Sequence, residues 1–86
     1  MPKKKDLVDK LCRRPIPKNF TMRELDLLMG KCNCEIFSGG RGSGVGYYHR
    51  ATKRVLQFDR PHPGNELYGY QVKKTIQFLK DIGELE

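Results

Sequence analysis

The sequence has no long apolar run, and this absence argues against a membrane protein. No stretch approaches the roughly 20 consecutive apolar residues that a transmembrane helix needs. The opening residues, Met1 to Lys5, are too polar for the core of a signal peptide. We therefore expect no membrane partner.

Cysteine is scarce and odd in number, which disfavours a disulfide framework. The three cysteines are Cys12, Cys32 and Cys34, and unpaired thiols indicate a reducing, cytoplasmic location. Cys32 and Cys34 with His49 and His62 could complete a zinc set, but their spacing fits no standard finger or ribbon. The favoured interpretation is that the thiols are buried small hydrophobes, and we expect no metal ion.

The common nucleotide-binding and catalytic motifs are also missing. Five glycines lie from Gly39 to Gly46. They do not form a GxGxxG motif, because the pattern that starts at Gly40 has Val45 where the last glycine is required. No Gly-Lys-Ser/Thr follows to make a P-loop. The chain has no acidic cluster for Mg²⁺ and no Ser/His/Asp arrangement. We therefore expect no nucleotide cofactor and no cofactor of another kind.

Positive charge is what the chain has in excess. The formal net charge is +7. The length of 86 residues is enough for one small domain. The charge is concentrated in two segments: residues 1–20 carry seven Lys or Arg against two Asp, and residues 41–60 carry five against one. This distribution favours a polyanionic partner, most simply nucleic acid. Ordinary solubility of a basic domain is the alternative.

Helical periodicity and capping signals predict three helices. They cover residues 3–13, 22 to about 31, and about 69 to 82. The first is a short or fraying helix, which Pro15-Ile16-Pro17 ends. Thr21 and Glu24 form the capping box of the second. Gly83 is placed to stop the third.

Between the second and third helices the sequence predicts three strands. These are residues 34–38, 45–49 and 54–58, with a turn at 50–53. We place His49 opposite Arg54. The apolar side chains that then share one face are Val45, Tyr47, Leu56 and Phe58. The opposite face is expected to be open, basic and partly without side chains; it carries Gly44, Gly46, Tyr48, Arg50, Lys53, Val55 and Gln57. The order of elements predicts an α+β domain with its two main helices on one face of the sheet.

The glycine-rich, basic hairpin predicts an anion-binding surface. Glycine lets the backbone approach a ligand closely, so the loop's N–H groups and Arg41 are placed to meet phosphate. Tyr48 is available to stack on a base. The alternatives are a loop that merely joins two strands and a tyrosine that only covers the sheet. The candidate RNA-binding residues are Arg41, Gly42, Ser43, Gly44, Tyr48, Arg50, Lys53, Arg54 and Arg60.

The two histidines are the candidate acid–base groups. Metal-independent RNA cleavage needs a base for the 2′-hydroxyl proton and an acid for the leaving oxygen, and histidine suits both roles. His62 lies between two prolines just past a predicted strand. His49 lies at the far end of the hairpin from the glycine loop, where a structural or surface role is favoured. A structural role remains an alternative for His62 as well.

Several segments together resemble the HicA toxins of HicAB toxin–antitoxin systems. They are the helix with Leu25 and Leu28, the Gly42-Ser43 turn before the strand Val45–His49, the run Phe58-Asp59-Arg60-Pro61-His62-Pro63-Gly64-Asn65-Glu66-Leu67, and the closing helix from Tyr70 to Gly83. The resemblance covers about residues 20–85. We therefore divide the chain into a basic extension, 1–19, and a HicA-like domain, 20–86.

The resemblance implies a fold and an activity. The fold is double-stranded-RNA-binding-domain-like, α-β-β-β-α, here with a short N-terminal helical extension. The activity is a metal-independent endoribonuclease that cleaves mRNA and is neutralised by a HicB-type antitoxin. His62 matches a histidine often found before the last helix.

The chain departs from the family pattern at one position. Many members carry a catalytic histidine directly after the Gly-Ser turn, whereas this chain continues Gly44-Val45-Gly46. Three hypotheses follow: a nuclease whose catalysis uses another residue, a non-catalytic RNA-binding module, and a protein-interaction partner whose basic face meets an acidic antitoxin.

Overall fold

The fold is a three-stranded antiparallel sheet with helices packed against it. The computed structural model describes residues 3–38, 44–61 and 64–85. The elements are α1 (Lys4–Leu11), α2 (Met22–Lys31), β1 (Cys34–Ser38), β2 (Gly44–His49), β3 (Arg54–Asp59) and α3 (Gly69–Asp81). The strands are ordered β1-β2-β3. The predicted α+β class and the predicted order of elements are confirmed.

The capping box predicted at the start of α2 is present. The Thr21 hydroxyl accepts a hydrogen bond from the Glu24 N–H at 3.2 Å, and the Glu24 carboxylate accepts one from the Thr21 N–H at 3.0 Å. Lys10 on α1 donates to both Glu24 oxygens at 2.9 Å. The cap therefore fixes the first turn of α2 and also connects it to α1.

The predicted hairpin register is confirmed. His49 pairs with Arg54, Tyr47 with Leu56 and Val45 with Phe58. The turn closes with a 2.7 Å hydrogen bond from the Lys53 N–H to the His49 carbonyl. Because side chains alternate along a strand, this register directs one set inward and the other outward.

The core lies between the inward face of the sheet and the helices. Helix α2 packs on β1, and α3 packs on β3. The fully buried side chains at this contact include Leu25, Leu28, Met29, Val45, Tyr47, Leu56, Val72 and Leu79. The other side of the sheet, here called the outer face, consists of Glu35, Phe37, Gly44, Gly46, Tyr48, Val55, Gln57 and Asp59.

Helix α1 is packed into the same core. Leu7 and Leu11 are buried in one cluster with the side chains of α2 and the sheet. An ion pair joins Lys4 to Glu84 beyond the end of α3. Where the sequence predicted a short or fraying helix, burial of two leucines supplies the stabilisation that eight residues alone lack.

Two backbone contacts position the segment that leads into α3. The Met22 N–H donates to the Asn65 carbonyl, and the Leu67 N–H donates to the Phe20 carbonyl, both at 2.7 Å. Gly83 adopts φ +84° directly after the helix, as predicted for a stop that needs the left-handed region. Among the helices of the described ranges, none combines the length and hydropathy of a membrane span.

The Glu24 cap predicts a pH-dependent contribution to stability. Burial raises the pKa of Glu24, but hydrogen bonds from Lys10 and Thr21 outweigh it and hold the pKa below its ordinary value of 4.5. A group whose pKa is lowered by folding stabilises the folded state when the pH is above its unfolded-state pKa. This contribution is lost as the pH falls through the folded-state pKa. We expect Glu24→Gln to reduce the free energy of unfolding by about 1 kcal/mol at pH 7.

Urea denaturation at pH 7 and at about pH 3 measures this contribution. The difference in unfolding free energy between wild type and Glu24→Gln, here called the gap, should be smaller at the lower pH. Glu66→Gln, at an exposed carboxylate, controls for the loss of one negative charge. An unchanged gap at low pH would contradict the contribution from Glu24 ionisation.

Candidate nucleic-acid interface

Three cations cluster at one end of the β2–β3 hairpin. Arg50, Lys53 and Arg54, here called the basic turn, are all exposed. Lys53 has φ +61°, so the chain reverses direction tightly and brings Arg50 and Arg54 to the same end of the sheet. Such a cluster of exposed cations is suited to contact a phosphate backbone.

Arg50 already has an anionic neighbour. Its guanidinium pairs with Glu35 on β1, and the two side chains are 72% and 51% exposed. Ion pairs this exposed contribute about 0–1 kcal/mol. A phosphate group can therefore replace Glu35 at little cost.

Other predicted RNA-binding residues lie at the opposite end of the hairpin. Gly44 is paired with Asp59, and Arg60 follows directly. The five residue steps from Gly44 to His49 span roughly 17 Å at the rise of a β-strand. The structure therefore separates the basic turn from Gly44 and Arg60. Arg41, Gly42, Ser43 and His62 lie outside the described residues.

Tyr47 belongs to the core, as predicted. Its side chain is fully buried, and its hydroxyl donates a 2.7 Å hydrogen bond to the Asp26 carboxylate. Burial raises the pKa of Tyr47 far above its ordinary value, and the hydrogen bond to Asp26 adds to this; the positive charge of Arg60 opposes it. Arg60 therefore lies near enough to the buried phenol to interact with it electrostatically.

The prediction that the outer face lacks a side-chain covering is wrong at Gly46. Phe37 on β1 is paired with Gly46, and its ring covers the glycine. A Cβ atom at position 46 would collide with the ring of Phe37. Glycine is needed here for the close approach of a ring from the same chain, rather than for the approach of a ligand.

The outer face presents aromatic and apolar surface beside the basic turn. Tyr48 is half-buried there, while Phe37 and Val55 are 39% and 47% exposed. Exposed aromatic rings on an open sheet can stack on unpaired bases. The sequence prediction missed Phe37, because placing it on this face requires the β1–β2 register.

Contacts from α3 bring a further cation to the edge of the sheet. The Lys74 ammonium donates to the Gln57 carbonyl at 2.7 Å, and the buried Gln71 amide donates to the Asp59 carbonyl at 2.7 Å. Lys74 was also missed. Its contact with β3 is tertiary, so the helical pattern of the sequence does not indicate it.

His49 has the geometry of a structural histidine. It is 8% exposed and lies on the inward face of the sheet, paired with Cys34 on β1. Its Nδ1 is hydrogen-bonded to the Thr52 hydroxyl at 2.8 Å. A substrate on the outer face would lie on the other side of the sheet from this ring.

Cys32 and Cys34 are buried thiols, as favoured from the sequence. Burial raises the pKa of Cys32 to about 12 and also raises that of Cys34, and the charge of Glu84 adds to both shifts. Metal binding requires the thiolate, which this environment disfavours. Within residues 3–38, 44–61 and 64–85, no three His, Cys, Asp or Glu side chains form a cluster that could hold a metal ion.

No protein-family model, curated protein or solved structure matches this chain.

The packing of Phe37 on Gly46 predicts an energetic coupling between the two positions. Gly46→Ala should cost about 1 kcal/mol of unfolding free energy, because the new methyl group displaces the ring. In a Phe37→Ala background the same substitution should cost nothing, giving a coupling of about 1 kcal/mol. Chemical denaturation of the four proteins measures the coupling.

Gly30→Ala provides a matched control in α2. Nothing lies within 4 Å of a Cβ built on Gly30, so alanine should be tolerated or slightly stabilising there. Additive effects of Gly46→Ala and Phe37→Ala would contradict the predicted contact.

Proposed function

We propose that this protein is an RNA-binding toxin of HicA type, which cleaves mRNA in the cytoplasm and is neutralised by a HicB-type antitoxin. The observation that carries the RNA-binding part is the position of the basic turn beside the outer face. Cations for phosphate and an aromatic ring for a base, Tyr48, lie on adjoining parts of one hairpin.

The charge balance supports a nucleic-acid ligand. The chain has 17 Lys and Arg against 10 Asp and Glu, and within the basic turn only Arg50 is paired with a carboxylate of the described residues. Phosphate binding by such cations releases condensed counterions, which makes affinity dependent on salt concentration. The apolar surface of the outer face then adds contacts that depend less on salt.

The double-stranded-RNA-binding-domain-like assignment is part of the proposal. It is supported by the order α2-β1-β2-β3-α3, by the antiparallel sheet, and by the packing of α2 and α3 on the same face. This arrangement leaves the outer face uncovered by helices. The same order is what the HicA resemblance implies.

In the nuclease hypothesis His62 is the better candidate for acid–base work, and it matches a histidine often found before the last helix of the HicA toxins. The residue follows Pro61, which is buried at the end of β3, and proline on both sides restricts the backbone around it. In this role the imidazole takes the proton of the attacking 2′-hydroxyl or gives one to the leaving 5′-oxygen. His49 is the weaker candidate because it is buried and hydrogen-bonded to Thr52.

A non-catalytic RNA- or antitoxin-binding module is the second candidate function. It is favoured by the composition of β2, where Gly44-Val45 stands in place of the usual catalytic histidine. Val45 is fully buried, so this position serves packing. The two candidates share one binding surface and differ only in whether RNA is cut.

Neutralising two cations of the basic turn should weaken RNA binding. We expect Lys53→Asn/Arg54→Gln to reduce affinity for a single-stranded RNA oligonucleotide by about tenfold at moderate salt. The slope of log K against log salt should decrease in magnitude by about 1.4, as for two lost phosphate contacts. Asparagine is chosen at Lys53 because it tolerates the left-handed backbone conformation.

Fluorescence anisotropy over a range of salt concentrations measures both effects. The control variant, Lys5→Gln/Lys31→Gln, removes two exposed cations from α1 and α2. An equal loss of affinity in the control would show that overall charge, rather than the basic turn, determines binding. Salt-independent binding by the wild type would contradict the phosphate contacts altogether.

Removing His62 should abolish RNA cleavage and leave RNA binding intact. We expect His62→Ala to slow cleavage by at least about 10²-fold, the usual contribution of a positioned acid or base. Cleavage by the wild type should persist in EDTA, since the proposed chemistry uses no metal. Denaturing gels of a defined mRNA, with antitoxin-free protein, measure the rate.

His49→Asn is the companion variant, and it should affect folding stability more than cleavage. Equal cleavage by His62→Ala and wild type would contradict the role of His62. If the wild type binds RNA but leaves it intact at every concentration, the non-catalytic candidate replaces the nuclease.

A further inference from the structure

A groove separate from the proposed RNA surface lies between the N-terminal segment and α3. It has a volume of about 570 Å³ and is lined by Cys12, Arg13, Arg14, Pro15, Ile16, Lys73, Ile76, Lys80 and Leu85. None of these residues belongs to the basic turn or to the outer face. The groove exists because α1 is packed into the core, which holds residues 12–16 alongside α3.

The walls of the groove combine an apolar floor with a cationic rim. Ile16, Ile76 and Leu85 are half-buried hydrophobic side chains that pack against the edge of the core. The rim consists of Arg13, Arg14, Lys73 and Lys80, all exposed. No carboxylate is among the lining residues, and within the described ranges none of the four cations forms an ion pair.

The spacing on α3 sets the size of the groove. Lys73, Ile76 and Lys80 are three and four residues apart, so they form one stripe along the helix. The seven residue steps from Lys73 to Lys80 span about 10 Å, or two helical turns. A volume of this size accommodates a few side chains of a bound segment.

We propose that this groove docks an acidic, amphipathic segment of a partner protein. Its apolar side chains, one helical turn apart, would fill the floor between Ile16, Ile76 and Leu85, as in helix-in-groove recognition. Its flanking carboxylates would meet the four cations. Charge complementarity identifies the acidic character, and the aliphatic floor favours a peptide over RNA, because the lining holds no aromatic ring on which a base could stack.

This proposal goes beyond the RNA-binding function and stands if that function fails. The docking groove and the basic turn share no residue, so each can be disabled separately. One molecule could therefore hold RNA and a protein partner at the same time.

Cys12 provides a reporter inside the groove. It is exposed, whereas Cys32 and Cys34 are buried, so an alkylating reagent reaches Cys12 first. Partial desolvation of the thiol and the nearby Asp9 raise the pKa of Cys12, and the ammonium of Lys80 opposes this. The alkylation rate at fixed pH therefore reports access to the groove.

The test uses two synthetic peptides and one RNA. The first peptide is helical, about three turns long, with leucines one turn apart between glutamates; the second has the same glutamates but serine for leucine. We expect the first to bind and to slow alkylation of Cys12 by about tenfold, and the second to bind at least about tenfold more weakly. A single-stranded RNA oligonucleotide should not protect Cys12.

Charge reversal then localises the binding. We expect Lys73→Glu/Lys80→Glu to weaken binding of the first peptide by at least about tenfold, with unchanged RNA affinity. Lys5→Glu/Lys31→Glu, on α1 and α2, changes the net charge equally and should reduce peptide affinity by less than about threefold. Arg13→Glu/Arg14→Glu, outside the helices, repeats the test on the opposite wall if the α3 variant fails to fold.

Three results would overturn the proposal. One is equal binding of the two peptides, or no binding of the first. Another is an equal loss of peptide affinity in the control and groove variants, which would mean that overall charge attracts the peptide. The third is protection of Cys12 by RNA in competition with the peptide, which would make the groove a nucleic-acid site.

Discussion

The register of β2 between its two neighbours is the constraint on which the rest of the structure depends. Because adjacent residues on a strand face opposite ways, this register buries Tyr47 and directs Tyr48 to the outer face. A shift of one residue would exchange them, and would remove the Tyr47 hydroxyl from Asp26. The same register places Phe37 over Gly46. The core and the candidate binding surface are therefore two consequences of one pairing.

Helix α3 contacts both candidate binding surfaces and contributes differently to each. On one side, Gln71 and Lys74 bond to carbonyl groups of β3 and hold the helix against the sheet. On another, Lys73 and Lys80 border the groove formed with residues 12–16. The N-terminal helix thus has a role beyond adding charge: by burying Leu7 and Leu11 it holds residues 12–16, the second wall of the groove, alongside α3. The groove, with its aliphatic floor, and the basic turn, which adjoins the aromatic rings of the outer face, are suited to different ligands.

Much of the fold could be predicted because its signals are local. The capping box at Thr21 and Glu24, the stop at Gly83 and the alternation along the hairpin each act within a few residues, and all three are confirmed. The candidate site was less predictable. The cations near the turn were identified from the sequence, and the predicted register already separated them from Gly44 by the length of the hairpin. Phe37 was missed because its place on the outer face depends on the pairing of β1 with β2. Lys74 was missed because its contact joins α3 to β3.

By itself, the sequence determined the order of elements, the apolar layer of the hairpin, the positive charge and the buried character of Tyr47. Each depends on periodicity or on neighbours in the chain. Only the tertiary structure decided that Phe37 covers Gly46, that His49, paired with Cys34, is buried on the inward face of the sheet, and that residues 12–16 and α3 enclose a groove. These features join segments far apart in the chain. They depend on how complete elements pack, which no local pattern of residues encodes.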